Sequence, residues 1–351
     1  MIHLLQPFHY KGLHLRNRIM MSPMCQYSVW DGDGRPNAWH RTHYISRAVG
    51  GTSLVMMEMT DVLPDGRITT RDLGIWDDAQ VPAFREIIDQ IHSYGAKVGI
   101  QIAHAGRKTE SAELRPVAPS ALRFAQSYRV PHALTTSEVE AVVEAFHHGA
   151  RRAVAAGADT VELHGAHGYL IHQFLSPMSN HREDRYGDRP QFALEVIEAV
   201  RAAIPAQMPL WMRISAVEYD PRGYDLDEMV QMARRFRDAG VDGFDVSSGG
   251  NAAALPDRVY PGYQVPYAAR IKRDCEVPVI AVGMLEDCRV AEAVLGRGEA
   301  DLVAIGRGML ADPYWANSSA LHLGGSVQVP RQYYRAFPAP SIPDAENDGD
   351  G

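Results

Sequence analysis

Ser137-Glu138-Val139-Glu140 opens a helix-period stretch running to Ala156. After a short break comes Thr160-Val161-Glu162-Leu163-His164-Gly165-Ala166-His167-Gly168-Tyr169-Leu170. The first part carries a capping-box pattern, in which a hydroxyl and an acidic side chain three residues apart satisfy the free N–H groups of a helix start. The second is a short apolar run that breaks into histidines, glycines and a tyrosine, as a strand does when its C-terminal end turns polar. The same unit recurs along the chain. Strands are predicted at Ile19–Met24, Ser53–Met59, Lys97–Ala103, Thr160–His164, Leu210–Ser215, Gly243–Ser248, Val277–Gly283 and Leu302–Arg307. Most are apolar on both faces, which suits a buried parallel sheet. Helices are predicted between them. Pro82–Tyr94 keeps Phe84, Ile87, Ile88 and Ile91 on one stripe, and Asp227–Ala239 and Asp287–Leu295 each start on an acidic cap and run into glycine.

Eight strand–helix units predict an α/β protein built as a single-domain (β/α)₈ TIM barrel. A doubly wound sheet would show Gly-x-Gly-x-x-Gly after its first strand. The nearest pattern here, Gly306-Arg307-Gly308-Met309-Leu310-Ala311, follows the last one. Segments 112–136 and 217–224 exceed a minimal barrel and fall after strand C-termini, where active-site loops belong. Residues before Arg18 predict an N-terminal hairpin closing the opposite end. The barrel is assigned to residues 1–337 and an acidic tail without fixed structure to 338–351.

The 351 residues carry 35 Lys+Arg against 43 Asp+Glu, a formal net charge of −8. No basic run exists, which argues against nucleic-acid or anionic-membrane partners. Three cysteines, Cys25, Cys275 and Cys288, form no C-x-x-C pair and give no disulfide framework or iron–sulfur site. No membrane-length apolar run or secretory leader is evident, so a cytoplasmic location is expected.

Functional residues of such a barrel gather at strand C-termini. Gly283 and Gly306-Arg307, after the last two strands, suit a phosphate held by backbone N–H groups and a bidentate arginine; tight packing at a strand-to-helix turn is the plainer alternative. His164 and His167 have three readings: ordinary half-buried histidines, metal ligands with Glu162, or a pair of donors aimed at a substrate oxygen, with Tyr169 as proton donor. Spacing does not separate them. Cys25 could be a small hydrophobe or a nucleophile. Gln101 and Arg213 could bind a heterocycle or satisfy loop backbone.

Longer matches then narrow the choice. Ser22-Pro23-Met24-Cys25-Gln26-Tyr27-Ser28 resembles the first-strand motif of the Old Yellow Enzyme family, in its thermophilic-like, YqjM-like subclass. Gly66-Arg67-Ile68-Thr69, Asp72 to Trp76, Gln101 to Lys108, Glu162 to Pro177, Pro261-Gly262-Tyr263-Gln264-Val265 and Ile305-Gly306-Arg307 continue the resemblance in order, from Pro7 to about Phe337. It implies a barrel holding FMN non-covalently and an ene-reductase that uses NADPH or NADH to reduce the C=C bond of electron-poor alkenes such as enones. It assigns Ser22, Pro23, Met24, Cys25, Met59, Gln101 and Arg213 to the isoalloxazine, and Ser248, Gly249, Gly250, Gly283, Gly306 and Arg307 to the ribityl chain and phosphate. His164 and His167 would bind the substrate oxygen and Tyr27 would add a hydrogen bond. Flavin N5 would give hydride to the β-carbon while Tyr169 gives a proton to the α-carbon, and Cys25 would tune the flavin. The ending Pro330 to Phe337 resembles the subclass's Gln-Tyr-x-Arg-x-aromatic terminus, which implies a homodimer or dimer of dimers with Arg335 completing the partner's pocket. Other classes are a metal-dependent barrel hydrolase using Glu162, His164 and His167, and a non-catalytic phosphate-ligand barrel.

Overall fold

The computed structural model describes residues 1–337; the tail assigned to 338–351 lies outside the described residues. Its strands are β1 (Phe8–Tyr10), β2 (Leu13–Leu15), β3 (Ile19–Met21), β4 (Leu54–Asp61), β5 (Leu73–Gly74), β6 (Lys97–Ala103), β7 (Val117–Ala118), β8 (His132–Ala133), β9 (Thr160–Gly165), β10 (Leu210–Ser215), β11 (Gly243–Ser247), β12 (Val279–Ala281) and β13 (Leu302–Ile305). The helices are α1 (Ala38–Val49), α2 (Val81–Ser93), α3 (Thr136–Ala156), α4 (Leu170–Leu175), α5 (Gln191–Ala203), α6 (Leu226–Asp238), α7 (Val265–Cys275), α8 (Cys288–Gly296), α9 (Arg307–Ala311) and α10 (Trp315–His322).

All eight predicted strands form. β3, β4, β6, β9, β10, β11, β12 and β13 pair in parallel in that order, and the β13–β3 and β3–β4 pairings close the ring. The short β5 adds to β4 outside it. Closure removes both sheet edges, and the apolar outer faces of the strands pack under the helices in one large core. The helix stripe is as expected: Phe84, Ile87, Ile88 and Ile91 of α2 are buried. The N-terminal hairpin also forms, with Phe8 opposite Leu15. Phe8, Leu13 and Leu15 pack on Met20, Leu54, Met56, Trp211, Ile280 and Leu302 and stop the N-terminal mouth of the barrel.

Some boundaries differ, for local reasons. The first barrel strand ends at Met21, not Met24, because the next segment leaves the ladder: Gln26 N–H donates to the Glu58 carboxylate and Tyr27 has φ +51°. β12 starts at Val279, beyond Pro278, which has no N–H to donate. The capping box of α3 is built from Thr135 and Glu138, two residues before the expected one: Thr135 Oγ1 accepts from Glu138 N–H, and Glu138 Oε2 accepts from Thr135 N–H at 2.8 Å. The insertion at 112–136 carries the small β7–β8 ladder and is tied back by Arg107 to Leu122 O, and by Arg182 to Pro119 O and Leu134 O.

Candidate active site

A cavity of about 430 Å³ opens at the C-terminal face of the barrel. Every barrel strand except β4 sends residues to it: Ser22 to Cys25 and Tyr27 after β3, Gln101 from β6, His164, His167 and Tyr169 from β9 and its loop, Arg213 from β10, Ser247 from β11, Val282 to Glu286 after β12, and Ala304 to Arg307 from β13.

The β9 end sets the reactive wall. His164 Nδ1 accepts the Ala166 N–H at 3.4 Å, which leaves Nε2–H to face the cavity. His167 follows a turn and sits at φ +59°, a conformation uncommon outside glycine. Its backbone N–H donates to Ser215 Oγ, and its Nε2 lies 2.8 Å from Ser247 Oγ. The two imidazoles meet edge to face at 5.2 Å, and the Tyr169 ring stands against His164 at 4.8 Å. Burial, then the nearby Arg213 charge, hold both histidines well below the usual imidazole range, so both are neutral at physiological pH. Burial likewise keeps the Tyr169 phenol protonated.

This loop is braced from below. Gly168, at φ +76°, passes so close to Gly250 O that a Cβ there would stand 2.3 Å away. Gly168 N–H donates to His172 Nδ1, and His172 Nε2 lies 3.1 Å from Glu218 Oε1. Asn251, Ser176 and Tyr224 N–H also donate to the Glu218 carboxylate. Asn251 in turn accepts from Arg107. The strand ends of β6, β9, β10 and β11 are therefore joined by one buried polar network.

Beside this wall, on the strand paired with β9, Arg213 is buried and donates to Ser22 Oγ at 3.3 Å, and its Nε–H donates no hydrogen bond. Gln101 lines the cavity from the other neighbouring strand, β6. Cys25 lines the cavity after β3. Burial, then the Glu58 charge, push its thiol up, so it is no thiolate nucleophile. The far end of the cavity is backbone: Gly283 at φ +115°, and Gly306 at the start of α9. A Cβ on Gly306 would meet nothing nearer than Met24 Sδ at 3.6 Å, so it would stand in the cavity itself. Arg307 borders this end, with its side chain 74 % exposed and Nε 3.7 Å from Glu286. A long cleft with a guanidinium and an amide at one end and glycine turns with an arginine at the other fits FMN: donors for the ring edge, and bare N–H groups with a cation for the phosphate.

Five residues given to the cofactor or pocket by the resemblance do not line this cavity: Met59, Ser248, Gly249, Gly250 and Arg335. Met59 packs on Ile68, Ala103 and Ala105 behind Cys25 and does not line the cavity. Ser248 and Gly249 sit beside it: Ser248 Oγ donates to Gln264 Oε1, and Gly249 N–H donates to Val217 O. Arg335 is exposed in the turn Arg331–Ala336, whose Tyr334 and Phe337 pack on Val327 and Val329 of the same chain. Glu162, His164 and His167 do not converge as ligands. Among the described residues, the one such group is Glu144, His147 and His148 on the outer helix α3. Residues not singled out in the sequence also belong to the site. Ser247, Gln264 and Met284 line it, and Lys108 hydrogen-bonds His167 O and Gly250 O beside the Tyr169 ring. Lys108 and Gln264 lie within the motif runs quoted above and Ser247 at the end of a predicted strand, which was the available signal.

Comparison with known proteins agrees with this geometry. The pattern of the NADH:flavin oxidoreductase / NADH oxidase family matches residues 3–323. The chain is 45% identical over 340 residues to the NADPH dehydrogenase of Geobacillus sp. (strain WCH70), covering 95% of this chain and 98% of that one. It is 42% identical over 338 residues to the NADPH dehydrogenase of Bacillus subtilis (strain 168), covering 95% and 99%. Among solved structures, morphinone reductase in complex with tetrahydroNAD superposes with a TM-score of 0.77 at 26% identity, covering 93% of this chain and 92% of that one. With barrel, cleft and relatives in accord, the chain belongs to the NADH:flavin oxidoreductase / NADH oxidase family, the Old Yellow Enzyme group of FMN-dependent, nicotinamide-oxidising enzymes.

Proposed function

We propose that this protein reduces electron-poor alkenes, such as α,β-unsaturated carbonyl compounds, with electrons from NADPH or NADH. The observation that carries the reading is a pair of neutral imidazoles and a protonated tyrosine lining one cavity with Arg213 and Gln101 from the two neighbouring strands. Ser22 to Cys25, Gln101, Arg213, Gly283, Gly306 and Arg307 would hold FMN, which when bound would supply hydride transfer between nicotinamide and alkene. The rest falls to the chain's own side chains.

His164 offers Nε2–H. With Ser247 Oγ donating to His167 Nε2, the second ring offers Nδ1–H. Two such donors converge on one carbonyl or nitro oxygen and strengthen as negative charge builds there, without adding a net charge to the cavity. Tyr169 holds the proton for the α-carbon, and Tyr27 adds a hydrogen bond to the bound alkene. Cys25 remains a neutral thiol beside the flavin. Nicotinamide and alkene use the cavity in turn, since each must present its reacting carbon at the same place. The protein works as a homodimer or dimer of dimers, in which Arg335 of a second copy completes the pocket, and it resides in the cytoplasm. The hydrolase alternative lacks support, because its three ligands do not meet.

Anaerobic titration tests the reading. The purified yellow protein should bleach with NADPH and regain its colour with an enone such as cyclohexenone. Bleaching with no recovery of colour would refute the alkene assignment. Colourless protein that takes up no FMN would refute the flavin site.

A further inference from the structure

Directly behind the flavin-side wall, the barrel interior holds a polar layer that the reaction above does not use. Glu162 on β9 and Asp245 on β11 are fully buried and flank Arg213 on the strand between them. Arg213 Nε lies 3.4 Å from Asp245 Oδ2, and Gln101 donates to Glu162 Oε1 at 2.8 Å. Among the described residues, Glu162 Oε2 and both Asp245 oxygens accept no hydrogen bond. Neither carboxyl lines the cavity, but Arg213 and Gln101 do. The other strands add no charge at this level: Met20 and Ser22 come from β3, Met56 from β4, Ile280 from β12, Leu302 and Ala304 from β13. Trp211 lies on the N-terminal side and the neutral His164 on the cavity side.

Two carboxyls thus face one guanidinium in a dry interior. Were both ionised, the layer would hold one uncompensated negative charge, which such a site disfavours strongly. The pair therefore shares protons, and its titration belongs to both residues together.

We propose that Glu162 and Asp245 form a proton store that takes up one proton when the flavin beside Arg213 is reduced and releases it on reoxidation. This rests on the flavin reading of the cavity. NAD(P)H gives two electrons and one proton as hydride and leaves as NAD(P)⁺. The additional proton comes from solvent and bonds to a carboxylate oxygen of the pair. It departs again when the alkene has taken the hydride. Reduction places negative charge within reach of Arg213, draws on the guanidinium's field and so raises the proton affinity of the carboxylates behind it. Both carboxyls are positioning residues that act through Arg213. Burial, then the Asp245 charge, already hold Glu162 at about 8, so the exchange is expected in the window that opens there.

The test is the midpoint potential of the FMN holoprotein against pH, for wild type, Glu162→Gln and Asp245→Asn. One extra proton per two electrons steepens the wild-type line by about 30 mV per pH unit, because a tenfold change in a two-electron equilibrium is about 30 mV. Above pH 8 that added slope should vanish in Glu162→Gln, whose amide mimics the protonated acid. Asp245→Asn is the second check should the first variant fold poorly. The absorbance of the reduced flavin at each pH keeps its own protonation out of the comparison. Indicator-dye counting of protons taken up on anaerobic reduction of the wild type needs no variant at all. Equal slopes in the three proteins, or no additional proton in the wild type above pH 8, would overturn the proposal. Protein that binds no FMN would instead refute the cavity reading, and this proposal with it.

Discussion

Glu58 offers a measurable consequence of a buried acid that holds the first active-site loop. Its carboxyl is 1 % exposed, accepts Gln26 N–H at 2.6 Å and Tyr44 OH at 2.7 Å, and so fixes the backbone between Cys25 and Tyr27. Burial raises it from 4.5 to about 8. The folded protein therefore keeps this proton while the unfolded chain loses it. Stability associated with the group is fully present below pH ~4.5 and is lost as the pH rises towards 8. At about 1.4 kcal/mol per pH unit, the loss across that window reaches about 5 kcal/mol. Glu58→Gln removes the titration but weakens one hydrogen bond, at a cost of about 1 kcal/mol. For 351 residues the unfolding entropy is about 0.7 kcal/mol/K, so 1 kcal/mol shifts Tm by about 1.4 °C. Thermal unfolding followed by circular dichroism should place the variant about 1 °C below wild type near pH 4.5 and about 5 °C above it at pH 8, with the curves crossing between pH 5 and 6. Contributions common to both proteins cancel. A Tm difference that stays constant from pH 4.5 to 8 would show that Glu58 is ionised throughout, and the reasoning would fail.

His164→Ala should keep its full FMN content yet lose roughly 30- to 800-fold in alkene kcat/KM, the equivalent of ~2–4 kcal/mol at the developing oxyanion; FMN loss with unchanged activity per flavin would contradict the donor role. Tyr169→Phe should leave reduction by NADPH near normal in stopped-flow and slow reoxidation by the alkene ~10²–10⁴-fold, whereas equal slowing of both halves would remove Tyr169 as the proton source. Co-expressed Arg335→Ala and Tyr169→Phe chains should recover activity that neither has alone, because mixed dimers regain one intact site. The absence of recovery would place Arg335 outside its partner's pocket.

The barrel was legible because its evidence is repeated. Each of eight apolar runs could be misjudged by a residue or two without changing their number or order. Their ends were less legible, since the signals there are single residues: Pro278 delays β12, and the segment after Met21, drawn off by Gln26 N–H on Glu58, leaves the ladder before Met24. The site followed from strand C-termini and motif runs, and His164, His167, Tyr169, Gln101 and Arg213 do meet at one cavity. Glu162 shows the limit. Its spacing from His164 allowed a ligand set, yet residues two apart on one strand can occupy successive levels of a barrel, and only the closed ring places Glu162 with Asp245 from β11. Met59 could crowd a flavin or pack on sequence grounds, and a register shift in the β4–β6 pairing falls beside it, between Met57 and Thr60.

The two kinds of loop at the cavity mouth differ in how they are fastened. Gly168, between His167 and Tyr169, and Arg107 share the Glu218–Asn251 network, so an altered residue in one strand end is felt by the others. The 112–136 insertion meets that network only at Arg107, which donates to Leu122 O; otherwise it is held by Arg182 on Pro119 O and Leu134 O, by Ser120 Oγ accepting His181 N–H, and by Lys108 against Phe124 at 4.5 Å. Chemistry and substrate choice are thereby separable under selection. Sequence drift or deliberate grafting in the outer loop can change which molecules enter while His164, His167 and Tyr169 keep their geometry. Variation among enzymes built this way should accumulate in that overhang first.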